Sequence, residues 1–429
     1  MSKKLNLVHP RDQIITAISR IYNRGMTTTS GGNISIIDDE GNIWVTPSAV
    51  DKGSLRASDI ICVQKDGTVI GDHKPSSEFP FHKAIYEVRP DIRAVIHAHP
   101  PALVSFSIVR QIPNTNIISQ AKHICGPIGY AEYALPGSEE LGDVIAEEFK
   151  NGYKAIIMEN HGTVLGGSDL NDAFQRFETL EFCARTILYG SQIGSPKYLA
   201  DGQIDEFEAR LSSTIPEMET TEYPSDEVEK RLEICKIVKR ACQQGLMISS
   251  YGTVSMRWKD NDFLITPTNV NRWNIEIDDI VQIKGGKREK DKNPSRATWI
   301  HQEIYKANPD VNSIIMTQSP YLMAFGVTKT YLNVRTIPES WVFLQDVPSV
   351  KFGSHLNSST NSEIIEKCKT ALIIENDSVL ITGDKLLQTF DYLEVAEFSA
   401  KSIVLGNALG EMVPINDHQV EELREKFLV

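Results

Sequence analysis

Apolar residues recur along this chain with two periods. Over residues 12–24, Ile14, Ile15, Ile18 and Ile21 share one face at helical spacing, and Gly25 closes the run. Residues 139–151 repeat the pattern with Leu141, Val144, Ile145 and Phe149 facing inward, and a long helix is predicted over 170–189. Shorter helices are predicted over 81–88 and 102–109. Compact runs of branched and aromatic residues predict strands at 43–48 (running into a turn), 60–64, 93–99 and 154–158. Small polar segments punctuate them: 27–35, rich in Thr, Ser and Gly; a hairpin turn at 65–68; and Lys74-Pro75-Ser76-Ser77-Glu78 ahead of a helix.

Between residues 191 and 226 this patterning fades into Gly, Ser, Pro, Thr and acidic residues. The segment reads as a linker carrying a short helix over 207–211. Beyond it the same order of features returns, which marks an internal repeat. Ser250-Tyr251-Gly252-Thr253-Val254-Ser255 parallels Ser30-Gly31-Gly32-Asn33-Ile34-Ser35, and Ile265-Thr266-Pro267-Thr268 parallels Val45-Thr46-Pro47-Ser48. Asn293-Pro294-Ser295 with His301 parallels Lys74-Pro75-Ser76 with His82, and Ile374-Glu375-Asn376 parallels Met158-Glu159-Asn160. Two domains are expected, 1–210 and 225–429, a division that suits 429 residues at roughly 200 per core.

A hydrophobic content of 41% and a charged content of 24% are those of a globular chain. The net charge of −13 argues against nucleic acid or an anionic membrane as a partner. The basic run at 284–290 parallels the turn at 65–68 and reads as a solvated turn. No run approaches a membrane span, and Met1 to Leu7 lacks the apolar core of a signal peptide. Six scattered cysteines without a C-x-x-C pair read as free thiols, so the cytoplasm is the expected location.

Candidate chemistry begins at Ile96-His97-Ala98-His99. On a strand, His97 and His99 point to the same face, and two imidazoles there are most of a metal site. The repeat separates fold from chemistry. His82 and His301 match, so His82 reads as structural. His97-Ala98-His99 becomes Met316-Thr317-Gln318, His161 becomes Asp377, Glu78 becomes Ala297 and Asn33 becomes Thr253. Residues lost together read as one site, kept in the first copy and abandoned in the second. Ser76-Ser77-Glu78 alone could be a plain helix start, but the second serine and the glutamate also vanish, as Arg296 and Ala297.

These residues, in this order, resemble the class II aldolase/adducin family. The likeness runs from Gly32-Asn33 through Thr46-Pro47-Ser48, Ser76-Ser77-Glu78 and His97-x-His99 to Glu159-Asn160-His161-Gly162. It implies an α/β protein of two tandem three-layer α/β/α domains around mixed, mainly antiparallel sheets, the second copy degenerate. It implies Zn2+, or Mn2+ or Co2+, on His97, His99 and His161, with Glu78 as the catalytic acid/base. It assigns Gly32, Asn33, Ser48, Ser76 and Ser77 to the phosphate of a phosphorylated sugar. One departure is Ala49, where the family's turn ends in glycine.

The chemistry fits the residues. A retro-aldol cleavage leaves an enediolate whose charge needs an electrophile, and a divalent ion on three neutral imidazoles keeps open positions. The expected function is a metal-dependent aldolase acting on a phosphorylated ketose. The alternatives are an epimerase, dehydratase or decarboxylase on the same fold, or a non-catalytic adducin-like scaffold. The epimerases of the family place an aspartate after the H-x-H strand, and residues 117–123 have none; Lys122 and His123 there read as loop residues. Family members are commonly fourfold tetramers, so a homodimer of this duplicated chain is expected to imitate that ring.

Overall fold

The structure is a computed structural model that describes residues 8–210, 215–219, 222–356 and 361–428. The expectations for Met1 to Leu7 and for the helix end at Leu211 fall outside them. Two compact units emerge: Met1–Thr115 with Gln120–Arg185, and Asn116–Ser119 with Thr186–Val429.

The first unit is built on strands β1 (Asn33–Ile37), β2 (Ile43–Val45), β3 (Ile61–Val63), β4 (Val69–Ile70), β5 (Ala94–Ala98), β6 (Ile128–Ala131), β7 (Ala155–Met158) and β8 (Gly162–Gly167). Their order is β4-β3-β2-β1-β5-β8-β7-β6. Every pairing is antiparallel except β6 with β7. All five residues of the central β5 are buried, which is why its sequence is apolar except at His97 rather than alternating. On one face, helices Phe79–Val88 and Glu139–Lys150 bury Phe81, Ile85, Leu141, Ile145 and Phe149 against Val95, Ile156 and Val164. Helix Pro101–Ile108 packs against β7 and β8, and Pro10–Asn23 against β1 and β2. Glu139–Lys150 starts where the Ser138 hydroxyl accepts the Leu141 N–H at 3.1 Å.

The second unit repeats this order. Its strands are β9 (Glu217–Met218), β10 (Thr253–Lys259), β11 (Asp262–Ile265), β12 (Val281–Lys284), β13 (Lys287–Glu289), β14 (Ser313–Thr317), β15 (Ser349–Val350), β16 (Ala371–Ile374) and β17 (Ser378–Gly383). They run β15-β16-β17-β14-β10-β11-β12-β13-β9, the first unit's order with one strand added at the edge. Register agrees too: Thr253 lies opposite Met316 as Asn33 lies opposite His97. The mixed α/β architecture is therefore present twice.

Three local differences from the sequence reading stand out. Residues 117–123 are not a loop throughout: Ser119–Cys125 is a helix, with Ala121 and Cys125 buried four residues apart. The expected linker is largely ordered among its described residues, with Leu170–Ile193 running past 189, a helix over Asp201–Arg210 and the strand β9. Strand β8 was hidden by its three glycines.

Features common to both units expose what the fold itself requires. A carboxylate from a long helix, Leu170–Ile193 in the first unit and Leu386–Gly406 in the second, caps the helix that follows the central strand. Glu181 accepts from the Leu103 N–H at 3.2 Å, and Glu397 accepts from Tyr321 and Leu322 at 3.0 and 2.9 Å. Burial raises the Glu181 carboxyl to about 7. A second shared feature is a buried trio: Ser35 bonds the His82 Nδ1 and the Tyr86 hydroxyl, each at 2.7 Å, and Ser255 bonds His301 and Tyr305 at the same distances.

Burial pushes His301 down to about 3. The unfolded chain takes up a proton near pH 6.5 that the folded chain refuses, so this contribution is complete above pH 6.5 and shrinks as pH falls toward 3. At about 1.4 kcal/mol per pH unit, roughly 3 kcal/mol is lost by pH 4.5. Urea unfolding at pH 7 and 4.5 should show a loss that is smaller by about this amount in His301→Gln than in the parent; equal losses would contradict it.

Candidate metal centre

Three elements deliver the histidines. Strand β5 carries His97 at its buried end, and His99 follows one residue past the strand, before Pro100 and Pro101. His161 comes from the tight turn between β7 and β8, where Asn160 takes a left-handed backbone at φ 52°. The turn must approach β5 closely, and Gly162 permits it: a Cβ there would sit 2.6 Å from the Ala98 carbonyl oxygen and 2.8 Å from the His99 ring. The three ligand atoms lie within 4.8 Å of one another, the one such cluster of metal-ligating side chains among the described residues.

Glu78 completes the group. It stands at the N-cap of helix Phe79–Val88, yet its carboxylate makes no capping bond. It turns instead to His97 Nε2 and His161 Nε2, each 3.2 Å away, and accepts from the Asn33 amide at 2.7 Å. The Ser76 hydroxyl takes over near the helix start, accepting the Glu78 N–H at 3.3 Å.

Hydrogen-bond direction decides what this group can hold. His97 Nδ1 lies 2.9 Å from the Thr163 carbonyl oxygen, which can only accept, so Nδ1 carries the hydrogen. The bare Nε2 then faces His99 Nε2 at 3.0 Å and the Glu78 carboxylate at 3.2 Å. Lone pairs crowded in this way call for a shared positive charge, which a proton on Nε2 or a metal ion supplies. The 3.0 Å separation is close to the roughly 3.3 Å between two ligands of a tetrahedral zinc. Burial and the neighbouring imidazoles push His99 down to about 3, which keeps it in the neutral, ligating form. For His97, burial lowers the pKa but the Glu78 carboxylate outweighs it, so the net shift is upward. The residues present fit a divalent metal ion.

A chain of hydrogen bonds reaches the carboxylate from behind. Tyr86 bonds to the Ser35 hydroxyl, Ser35 bonds to His82 Nδ1, His82 Nε2 donates to the Asn33 side-chain oxygen Oδ1, and the Asn33 amide donates to Glu78. Burial pushes His82 down to about 3, so a neutral ring supplies the one donor and one acceptor this chain needs. In the second unit Thr253 is too short to continue it, and His301 Nε2 is buried without a partner. Asn33 therefore directs its side chain at Glu78, not at an open anion pocket.

The other residues assigned to phosphate sit on two bridged loops. Ser48 N–H donates to the Lys74 carbonyl at 2.9 Å, Ser76 N–H donates to Thr46 at 3.2 Å, and Pro47 pairs with Pro75. Ser77 is exposed, Ser48 is half-buried, and Gly32 takes φ 69° against the His97 carbonyl. Sequence reasoning missed Lys52. Its ammonium, 2% exposed, lies beneath the first loop and donates to Pro47 at 2.7 Å. Arg272 holds Pro267 in the same way at 2.8 Å, and this pair of cations was the signal available in the repeat.

Ala49 takes φ 57° and its counterpart Asn269 the same, so this turn uses the left-handed region that glycine favours. The strain of an alanine there is roughly 1–2 kcal/mol. Ala49→Gly should raise the melting temperature, with about 1 kcal/mol gained after the entropy cost of glycine; an unchanged or lower temperature in calorimetry would show the turn to be unstrained.

Known proteins place the chain. The 5-deoxy-D-ribulose 1-phosphate aldolase of Bacillus thuringiensis serovar kurstaki is 31% identical over 199 residues, 46% of this chain and 92% of that protein. The 3-oxo-tetronate 4-phosphate decarboxylase of Haemophilus influenzae is 32% identical over 195 residues, 44% of this chain and 91% of that one. The L-fuculose phosphate aldolase of Methanocaldococcus jannaschii is 35% identical over 179 residues, 42% and 95% respectively. The model of the family described as "Class II Aldolase and Adducin N-terminal domain" matches twice, at residues 12–188 and 232–404. By those two matches, the chain belongs to the class II aldolase and adducin N-terminal domain family.

Proposed function

We propose that the first unit is a metal-dependent aldolase that cleaves a phosphorylated ketose. The observation that carries this reading is the convergence of His97, His99 and His161 on one point, with the Glu78 carboxylate 3.2 Å from two of them. Zn2+ suits the donor set, and Mn2+ or Co2+ could replace it. When bound, the ion supplies an electrophile for the substrate carbonyl and for the charge of the enediolate.

The chain's own residues do the rest. Glu78 moves the proton at the enediol carbon, and the Asn33 amide fixes which of its oxygens is engaged. Gly32, Ser48, Ser76 and Ser77 receive the phosphate through hydroxyl and N–H donors. Of the tyrosines that could serve as a second acid, Tyr133 is 61% exposed, whereas the Tyr130 hydroxyl is buried.

Decarboxylation of a 3-oxo acid phosphate would develop the same enediolate, and the Haemophilus influenzae relative, named as such a decarboxylase, favours it as the second reading. The cytoplasm suits either activity: the six cysteines are free and buried, and no described helix is long and apolar enough to cross a membrane. The repeated unit favours a homodimer that imitates a fourfold ring.

The test is to strip the protein with a chelator, reload it with Zn2+ or Mn2+, and follow a panel of ketose phosphates and 3-oxo acid phosphates by NMR. Cleavage to an aldehyde, lost on stripping and restored on reloading, is expected. Release of carbon dioxide would establish the second reading instead, and metal-independent turnover would overturn both.

A further inference from the structure

The second unit has not lost its site evenly. The five first-unit positions that form or touch the imidazole cluster are Asn33, Glu78, His97, His99 and His161. In the second unit they are Thr253, Ala297, Met316, Gln318 and Asp377, and no imidazole or glutamate remains there. The two loops assigned to phosphate are kept nearly bond for bond. Gly252 takes φ 84° where Gly32 takes 69°. Thr268 N–H donates to Asn293 at 2.9 Å as Ser48 does to Lys74, and Ser295 N–H donates to Thr266 as Ser76 does to Thr46. Pro267 pairs with Pro294 as Pro47 pairs with Pro75. Arg272, buried under the loop, donates to Pro267 and Val270 at 2.8 and 2.6 Å, the carbonyls matching those that Lys52 holds.

One change strengthens this half for an anion: the exposed Ser77 becomes the exposed Arg296. A guanidinium offers two parallel donors to a phosphate where a serine offers one. The abandoned metal half has also acquired a different polarity. Gln318, 4% exposed, and Asp377, 1% exposed, stand where His99 and His161 stand in the first unit. Gln318 donates to the Asp377 carbonyl at 3.0 Å, which leaves its own Oε1 buried without a hydrogen bond, and Asp377 Oδ1 is likewise buried without one. Buried acceptors without donors cost about 1–3 kcal/mol each. The other Asp377 oxygen accepts from Ser378 at 2.6 Å, with His355 Nε2 3.9 Å away. His355 feels the charges of both Asp377 and Arg296, so the two lie within electrostatic reach of one imidazole.

We infer that the second unit is a binding site for a hydroxylated phosphate monoester, which it holds without cleaving. Thr268, Ser295 and Arg296 take the phosphate, and the ligand's hydroxyls donate to Gln318 and Asp377. A site with acceptors in place of metal ligands recognises the substrate class and cannot supply the electrophile for cleavage. The inference rests on the assignment of the corresponding first-unit loops to phosphate.

Calorimetry of the full, metal-loaded chain with dihydroxyacetone phosphate tests it. Two binding events per chain are expected. Arg296→Glu, an exposed change, should weaken one at least tenfold while leaving cleavage unchanged, and the double variant Ser76→Ala, Ser77→Ala should weaken the other. A single event removed by the serine double variant and untouched by Arg296→Glu would overturn the inference and keep the proposed function. A single event removed only by Arg296→Glu would support the inference and overturn the phosphate assignment in the first unit. No binding at all would overturn both.

Discussion

Glu78→Gln should leave a folded, metal-loaded protein whose cleavage rate is lower by about 10²–10⁴-fold. The amide has the size of the carboxylate, and its carbonyl oxygen can still accept from Asn33, which donates to Glu78 at 2.7 Å. What it cannot do is take up and return a proton. The three imidazoles converge without help from this residue, so the ion should remain. Turnover measured beside metal content separates the two effects. A rate within tenfold of the parent would remove Glu78 from the chemistry. A parallel loss of metal would make it a ligand first and a base second.

His97→Met should empty the centre. His97 is fully buried between Phe81 and the other two rings, so truncation to alanine would confuse ligand loss with a cavity. Methionine avoids this, because the second unit carries Met316 at the same register on the same strand and keeps its fold. Residues that merely orient a metal ligand are typically worth about 10–100-fold in affinity. Removal of a ligand should exceed that, and cleavage should fall with the bound ion. Elemental analysis gives the occupancy and a melting curve checks the fold. A variant that keeps a full complement of metal would show that His99, His161 and Glu78 suffice.

Much of this was legible in the chain because the sequence contains its own comparison. Strand β5 announced itself as an apolar run, and Met316-Thr317-Gln318 showed which of its residues the strand needs and which it does not. What was not legible lies where side chains carry little pattern. Gly162–Gly167 has the glycines of a loop and the backbone of a buried strand. Its glycines answer to neighbours far along the chain: a Cβ on Gly166 would lie 2.8 Å from Phe149. Asn33 was assigned to phosphate by position, yet its partners are Glu78 and His82, 45 and 49 residues away. No local spacing encodes such a chain. Lys52 and Arg272 carry no signal of their own in the sequence, because a cation buried beneath its own loop looks there like any other.

The short strand β9 bears on how this chain can be divided. It pairs in parallel with β13 through Arg288 and Glu289, and just beyond it the Tyr223 ring lies 3.8 Å below the Arg231 guanidinium. That guanidinium is fully buried on Glu227 and Glu289. A fragment beginning at residue 225 would strip both covers at once. It would leave the backbone of β13 open to pairing with other molecules and one face of a buried charge network open to water. Such a fragment should tend to form aggregates, whereas one beginning ahead of residue 215 brings its own edge strand. The stretch between the repeats, spacer by composition, is the selvage of the second sheet.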